Sequence, residues 1–261
     1  MEFTFYKYQG TGNDFVIIDN RNLLFPKENT KEVARLCNRN FGVGADGLIL
    51  LENDEKSDFK MIYFNADGSE STMCGNGGRC IVAFAKKLGI FEESTTFIAI
   101  DGLHTATVNN DLVALQMIDV EKIEVCKEYS FLDTGSPHHV QLAEDLENYR
   151  VDIAGKRIRK SYGEEGSNVN FVEKIDENYF DLRTYERGVE AETLACGTGA
   201  TATAIAMHKT RETHGTTVDI KVLGGELQIS FDENNGVYTN IFLKGPATLV
   251  FKGEITIKWI I

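Results

Sequence analysis

One motif occurs twice in this chain. The segment from Tyr63 reads YFNADGSESTMCGNGG, and the segment from Tyr185 reads YERGVEAETLACGTGA. Aligned without a gap, Tyr63 matches Tyr185, Glu70 matches Glu192, Cys74 matches Cys196, Gly75 matches Gly197 and Gly77 matches Gly199, at an offset of 122 residues. The offset recurs to within a residue: Thr11-Gly12-Asn13 with Thr134-Gly135-Ser136, Gly44-Ala45-Asp46 with Gly166-Ser167-Asn168, Asp101-Gly102 with Gly224-Gly225. Hairpin signals match in kind, Asn109-Asn110-Asp111 in the first half and Asn234-Asn235-Gly236 in the second. One offset shared along the chain points to two similar halves, and this constrains the fold before any element is assigned.

Each half reads as strand-rich. Period-two or continuous apolar stretches lie at 3–8, 15–18, 48–51, 59–64, 95–100, 103–108 and 112–118, then at 138–142, 169–173, 179–185, 216–222, 226–231 and 237–243. Residues 30–39 predict a helix, with Val33, Leu36 and Cys37 on one face and Asn29 and Glu32 spaced as a capping box. Residues 75–88 predict another, stopped by Gly89. Its repeat, GTGATATAIAMHK at 197–209, is small-sided nearly all round, which places it deep among strands. The expected class is α+β (α/β) with two pseudo-symmetric domains. Residues 1–118, completed by 251–261, form one and 119–250 the other, with the junction near 118–128.

Composition narrows the function. With 27 basic and 40 acidic residues the net charge is −13, which repels phosphate backbones and anionic lipid, so neither a nucleic-acid nor a membrane partner is expected. The opening MEFTFYKYQG lacks the basic start and apolar stretch of an export signal, and no run reaches membrane-spanning length. A soluble, cytoplasmic protein is expected. Five scattered cysteines with no Cys-x-x-Cys argue against a disulfide framework or a zinc site. Cys37 and Cys126 read as small buried hydrophobes, and Cys80 as helix packing.

The duplicated Cys-Gly-x-Gly puts a thiol at the entrance of a helix whose first turn is nearly bare of side chains. Bare N–H groups and the positive helix end can grip a carboxylate or a phosphate, and the same field lowers a thiol pKa from about 8.5 into a range of roughly 3.5–7.5. If the two halves face each other, Cys74 and Cys196 stand on opposite sides of a ligand in one cleft. That suits removal of a proton from one face of a carbon and delivery to the other, the pair titrating as a unit.

GTGNDF (10–15), FNADGSE (64–70), MCGNGGRC (73–80), ERG (186–188) and ACGTGA (195–200) resemble the diaminopimelate epimerase family, in the family's order. The resemblance implies two pseudo-symmetric domains, each a strongly curved, mostly antiparallel sheet around a central helix, with the active site in the cleft between them. It implies cofactor-independent epimerisation of LL-2,6-diaminopimelate to meso-diaminopimelate in lysine and peptidoglycan precursor biosynthesis, with no metal and as a homodimer. Cys74 and Cys196 match the catalytic pair, and Gly75, Asn76, Gly197 and Thr198 the backbone grip on the reacting carboxylate. Asn13, Asn65 and Asn168 match ligand-binding asparagines. Glu186 and Arg187 match the pair at the far end of the substrate, and His138 with Glu186 the positions that tune the thiols. Three features depart from the pattern: Gly47 replaces a glutamine, Ser136 replaces an asparagine, and one extra residue separates Glu186 from Cys196. A proline racemase-like enzyme is the nearest alternative, which lacks the need for Arg187. A redox protein cycling Cys74 and Cys196 is another alternative, and a non-catalytic anion-binding module, which would need neither thiol, is the third.

Overall fold

The computed structural model describes residues 1–257; the end of the expected completing segment 251–261 lies outside them. The chain divides into two compact units, Met1–Leu115 with Pro246–Ile261, and Gln116–Gly245.

The first unit opens with a hairpin, β1 (Glu2–Gly10) and β2 (Asn13–Asp19). Its turn residues Thr11 and Gly12 have φ of 51° and 88°. Two positive values match a tight turn that follows strand twist, at a cost for the β-branched Thr11. Helix α1 (Thr30–Cys37) then crosses to β3 (Gly47–Glu52), parallel to β2. The Asn29 side chain accepts from the Glu32 N–H, but the Glu32 carboxylate pairs with Arg35, so only half of the expected capping box forms. The helix ends at Cys37, two residues early, because the Asn38 cap is extended.

β4 (Phe59–Asn65) pairs antiparallel with β3, and the short β5 (Glu70–Ser71) folds back on it. Helix α2 (Gly75–Lys87) crosses to β6 (Ser94–Ala99), parallel to β4, and β7 (Gly102–Asn109) and β8 (Leu112–Gln116) continue as hairpins. The sheet separates two apolar layers. Val16, Ile18, Leu48, Leu50, Ile62 and Phe64 pack with Val33, Leu36 and Cys37 of α1, so alternation turns Phe15, Ile17, Ile49, Met61 and Tyr63 to the other face. There Ile49 and Met61 lie against Gly77 of α2.

The second unit repeats this order. After β9 (Ile123–Val125), β10 (Ser130–Asp133) and β11 (Pro137–Leu142) form the opening hairpin. A single 3-10 turn precedes α3 (Val151–Ser161), which crosses to β12 (Asn168–Asp176), parallel to β11. β13 (Tyr179–Glu186) returns antiparallel, with β14 (Ala191–Thr193) folded back on it. Helix α4 (Gly197–Lys209) crosses to β15 (Thr217–Val222), parallel to β13, and β16 (Gly225–Asn234) and β17 (Val237–Pro246) follow as hairpins. Helix α3, the counterpart of α1, is absent from the sequence reading. Its N-cap, Arg150, makes no side-chain cap, and Ile153 breaks the apolar stripe by facing out. Helix α4 is buried from Gly199 through Met207, as its small residues require.

The last strand, β18 (Thr248–Thr256), pairs antiparallel with β1 from Glu2↔Thr256 to Gln9↔Thr248. The architecture is two-domain α+β. Among the described residues no helix is long and apolar enough to cross a membrane.

The repeat aligns differently in space than in sequence. Phe64 pairs with Glu70 in the first unit, and Tyr185 with Glu192 in the second. Both face the α1-type layer, Phe64 with Val33 and Leu36, Tyr185 with Val151. Tyr185 is therefore the counterpart of Phe64, not of Tyr63, and Asn65 and Glu186 are counterparts in turn.

Candidate active site

Cys74 is the N-cap of α2 and Cys196 the N-cap of α4, both with extended backbone. Burial covers the whole first turn of α2 and Gly197, Gly199 and Ala200 of α4. The Cys74 Sγ accepts from the Gly77 N–H at 3.2 Å; the Cys196 Sγ lies 3.4 Å from the Thr198 Oγ1. In each unit the threonine of the opening hairpin is tied to this turn. Thr11 Oγ1 bonds Asn76 Oδ1 at 3.5 Å, and Thr134 Oγ1 donates to the Thr198 carbonyl at 2.9 Å.

Around Cys74 the structure brings together Asn76 and Asn13, and adds a residue that sequence reasoning missed. Asn76 Nδ2 donates to Asn13 Oδ1 at 3.3 Å, and Asn13 Nδ2 donates to Asp46 Oδ2 at 2.6 Å. Arg79 is fully buried beneath the same turn. It donates to the Gly75 carbonyl, Asn76 Oδ1, Thr11 Oγ1 and the Pro246 carbonyl. These four acceptors are neutral, and burial pulls its pKa down to about 10 against the opposing pull of Cys80 and Cys74, still cationic near neutrality. Farther out, Asp46 joins Arg39 and Asp14, which also pairs with Lys7. Burial pushes the Asp14 pKa up, but the Arg39 and Lys7 bonds outweigh it and hold the carboxyl at about 2.

Asn65 ends β4, half-buried, with its Nδ2 3.4 Å from Ser69 Oγ. Across from it is Gly47. A Cβ there would stand 2.5 Å from the Tyr63 ring and 2.6 Å from the Phe64 carbonyl oxygen, so this backbone admits no side chain where the family pattern has a glutamine.

Around Cys196 a second group assembles. His138 is fully buried in β11, bonded to Ser136 Oγ at 3.1 Å and to Asn170 Nδ2 at 3.0 Å. Burial, then the Arg187 charge, push its pKa down to about 3, so the ring is neutral. Asn168 Oδ1 accepts from the Arg187 backbone N–H at 2.8 Å and its Nδ2 donates to Ser136 Oγ at 2.9 Å. The Arg187 Nη1 donates to the Glu165 carbonyl at 2.9 Å. Glu186 Oε2 accepts from Thr193 Oγ1 at 2.9 Å.

The other thiols sort by burial. It pushes Cys37 up to about 12 and raises Cys80 further, so both are inert. Cys126 differs from expectation: it is half-buried, 3.4 Å from Glu124 Oε1.

The sequence profile described as diaminopimelate epimerase matches residues 5–122 and 130–250. The chain belongs to the diaminopimelate epimerase family. It is 61% identical over 253 residues to the diaminopimelate epimerase of Flavobacterium psychrophilum, covering 96% of this chain and 99% of that one. It is 41% identical over 259 residues to that of Chlorobaculum tepidum, covering 95% and 99%. Family membership makes the chain an isomerase, an epimerase.

Solved structures agree on the fold alone. A phenazine biosynthesis protein from Bacillus anthracis superposes with a TM-score of 0.79 at 14% identity, over 98% of this chain and 100% of its own. A hydroxyproline epimerase from Agrobacterium vitis, solved with trans-4-hydroxy-L-proline, gives 0.71 at 13%, over 97% and 92%.

Proposed function

We propose that the chain interconverts LL-2,6-diaminopimelate and meso-diaminopimelate, with Cys74 and Cys196 as its two acid–base groups. One sulfur, as thiolate, takes the proton from the carbon beside a carboxylate, and the C–H electron pair remains on that carbon. The other, as thiol, returns a proton to the opposite face, and the roles reverse in the other direction. Two thiols coupled in this way share their titration.

The carbanion draws on the adjacent carboxylate, where charge develops. In this reading the N–H groups of Gly75, Asn76, Gly197 and Thr198 meet that charge at two positive helix ends, preorganised before the reaction. Asn13, Asn65 and Asn168 line the ligand, and Glu186 takes its distal amine. Arg187 spends Nη1 on Glu165, which leaves its fork for the distal carboxylate. The scheme uses no cofactor and no metal. The family resemblance supports a role in lysine and peptidoglycan precursor biosynthesis, and we propose that the enzyme acts in the cytoplasm as a homodimer.

The observation that carries this reading is the repetition of a cysteine N-cap on a glycine-led helix in the same crossover of both units. The test is α-hydrogen exchange in D₂O with diaminopimelate beside proline, without added pyridoxal phosphate or metal. Deuterium entering diaminopimelate is expected. Deuterium entering proline instead supports a proline racemase-like enzyme, and a dithiol titration with no exchange into either supports a redox protein.

A further inference from the structure

The proton positions along β11 and β12 can be deduced one by one. Asn170, buried in β12, has an amide oriented by one partner with no choice of role. The His139 carbonyl only accepts, so the atom 3.0 Å from it is Nδ2, and the Thr184 hydroxyl donates to Oδ1 at 3.0 Å. The second Nδ2 hydrogen points at His138 Nδ1, 3.0 Å away. That nitrogen must accept, so the ring carries its one proton on Nε2. Nε2 lies 3.1 Å from Ser136 Oγ.

Asn168 is oriented in the same way. The Arg187 backbone N–H only donates, which makes its partner Oδ1. Nδ2 then donates to Ser136 Oγ at 2.9 Å, with His138 Nε2 farther off at 3.5 Å. Ser136 Oγ thus receives two hydrogen bonds, which fill its lone pairs and leave its own proton for a third group.

We propose that Asn170 is a positioning residue that locks His138 as the neutral Nε2–H tautomer, and that this lock makes Ser136 a fixed hydrogen-bond donor to a substrate carboxylate. The substrate half rests on the function proposed above; the tautomer does not. Asn170 also touches the first turn of α4: a Cβ on Gly199 would stand 2.6 Å from Asn170 Oδ1 and 3.3 Å from Cys196 Sγ. Burial of His138, and then the Arg187 charge, oppose a second ring proton. At this position a serine serves where the family pattern has an asparagine, because its neighbours leave it a single role.

The test reads the imidazole nitrogens of ¹⁵N-labelled protein by NMR at neutral pH. His138 is expected with Nε2 protonated and Nδ1 bare; a proton on Nδ1, or an imidazolium, in the unmodified protein overturns the lock. Asn170→Asp replaces the donor by an acceptor and is expected to move the proton to Nδ1. It should raise KM for diaminopimelate about tenfold, the scale of one lost hydrogen bond, with a smaller change in kcat. If that variant does not fold, Ser136→Ala should raise KM similarly while the His138 signals keep their pattern. An unchanged KM in either folded variant overturns the role of Ser136. Failure of the unmodified enzyme to exchange the α-hydrogen of diaminopimelate would count against the function and leave the tautomer standing.

Discussion

Burial gives two arginines near the cysteine helices different work. Arg79 has no exposed surface and braces Thr11, Gly75 and Asn76, whereas Arg187 is half-buried and commits one nitrogen to Glu165. Arg187→Ala should therefore weaken diaminopimelate binding by about 2–5 kcal/mol, the scale of a truncated buried charge pair, while leaving the fold intact. Calorimetric titration of the variant checks this, and unchanged affinity would remove Arg187 from the ligand's path. His138 carries a pH dependence whose sign follows from its depressed pKa. Between its ordinary value of 6.5 and about 3, the unfolded chain takes up a proton that the folded chain refuses, so stability falls as pH drops through that window. The loss approaches ~1.4 kcal/mol per pH unit. Urea unfolding should show a fall of about 2 kcal/mol between pH 7 and pH 5 from this residue, which His138→Asn removes. At this scale the sequence marks residues that share a motif but not those that share a space. Arg79 lies inside MCGNGGRC and Asn170 two places after Asn168, yet only the folded structure reveals a buried guanidinium or an oriented amide.

The two glycine-led helices tolerate a methyl group unequally. A Cβ on Gly77 would meet Cys74 Sγ at 3.2 Å and the mobile end of Ile49 at 3.3 Å. A Cβ on Gly199 would meet Asn170 Oδ1 at 2.6 Å, and that amide is held by three partners. Gly77→Ala should leave stability nearly unchanged, since alanine recovers about 1 kcal/mol of helix propensity, and lower turnover through the displaced sulfur. Gly199→Ala should cost about 1–3 kcal/mol through overpacking and lower turnover as well. Thermal unfolding with parallel turnover assays separates the two outcomes. Helices α2 and α4 were legible because glycine, cysteine and small apolar residues announce both entrance and depth. Helix α3 was not, because its start lacks a capping side chain and its centre holds Gly155. That glycine is explained only by Tyr185, whose Cβ would lie 2.3 Å from a Cβ there.

Across the molecule, duplication explains most of what can be read from residues alone. Both units run hairpin, crossover, antiparallel return, second crossover and hairpins, and the recurring 122-residue offset reports that order. Within the motif the offset misleads by one residue, since β5 and β14 pair their long strands through Phe64 and Tyr185 and chemistry-bearing residues follow the pairing, not the letters. Asn65 and Glu186 become counterparts only in three dimensions. The pairing of β18 with β1 also has no local signal, because a strand's partner is set by the closure of the sheet.

If each unit contributes one acid–base thiol to a single reaction, neither can act alone. The direct measurement is interconversion of LL- and meso-diaminopimelate, followed by chiral chromatography, in Cys74→Ala and Cys196→Ala. Loss of interconversion in both folded variants is predicted; full interconversion by either would contradict a two-thiol epimerase.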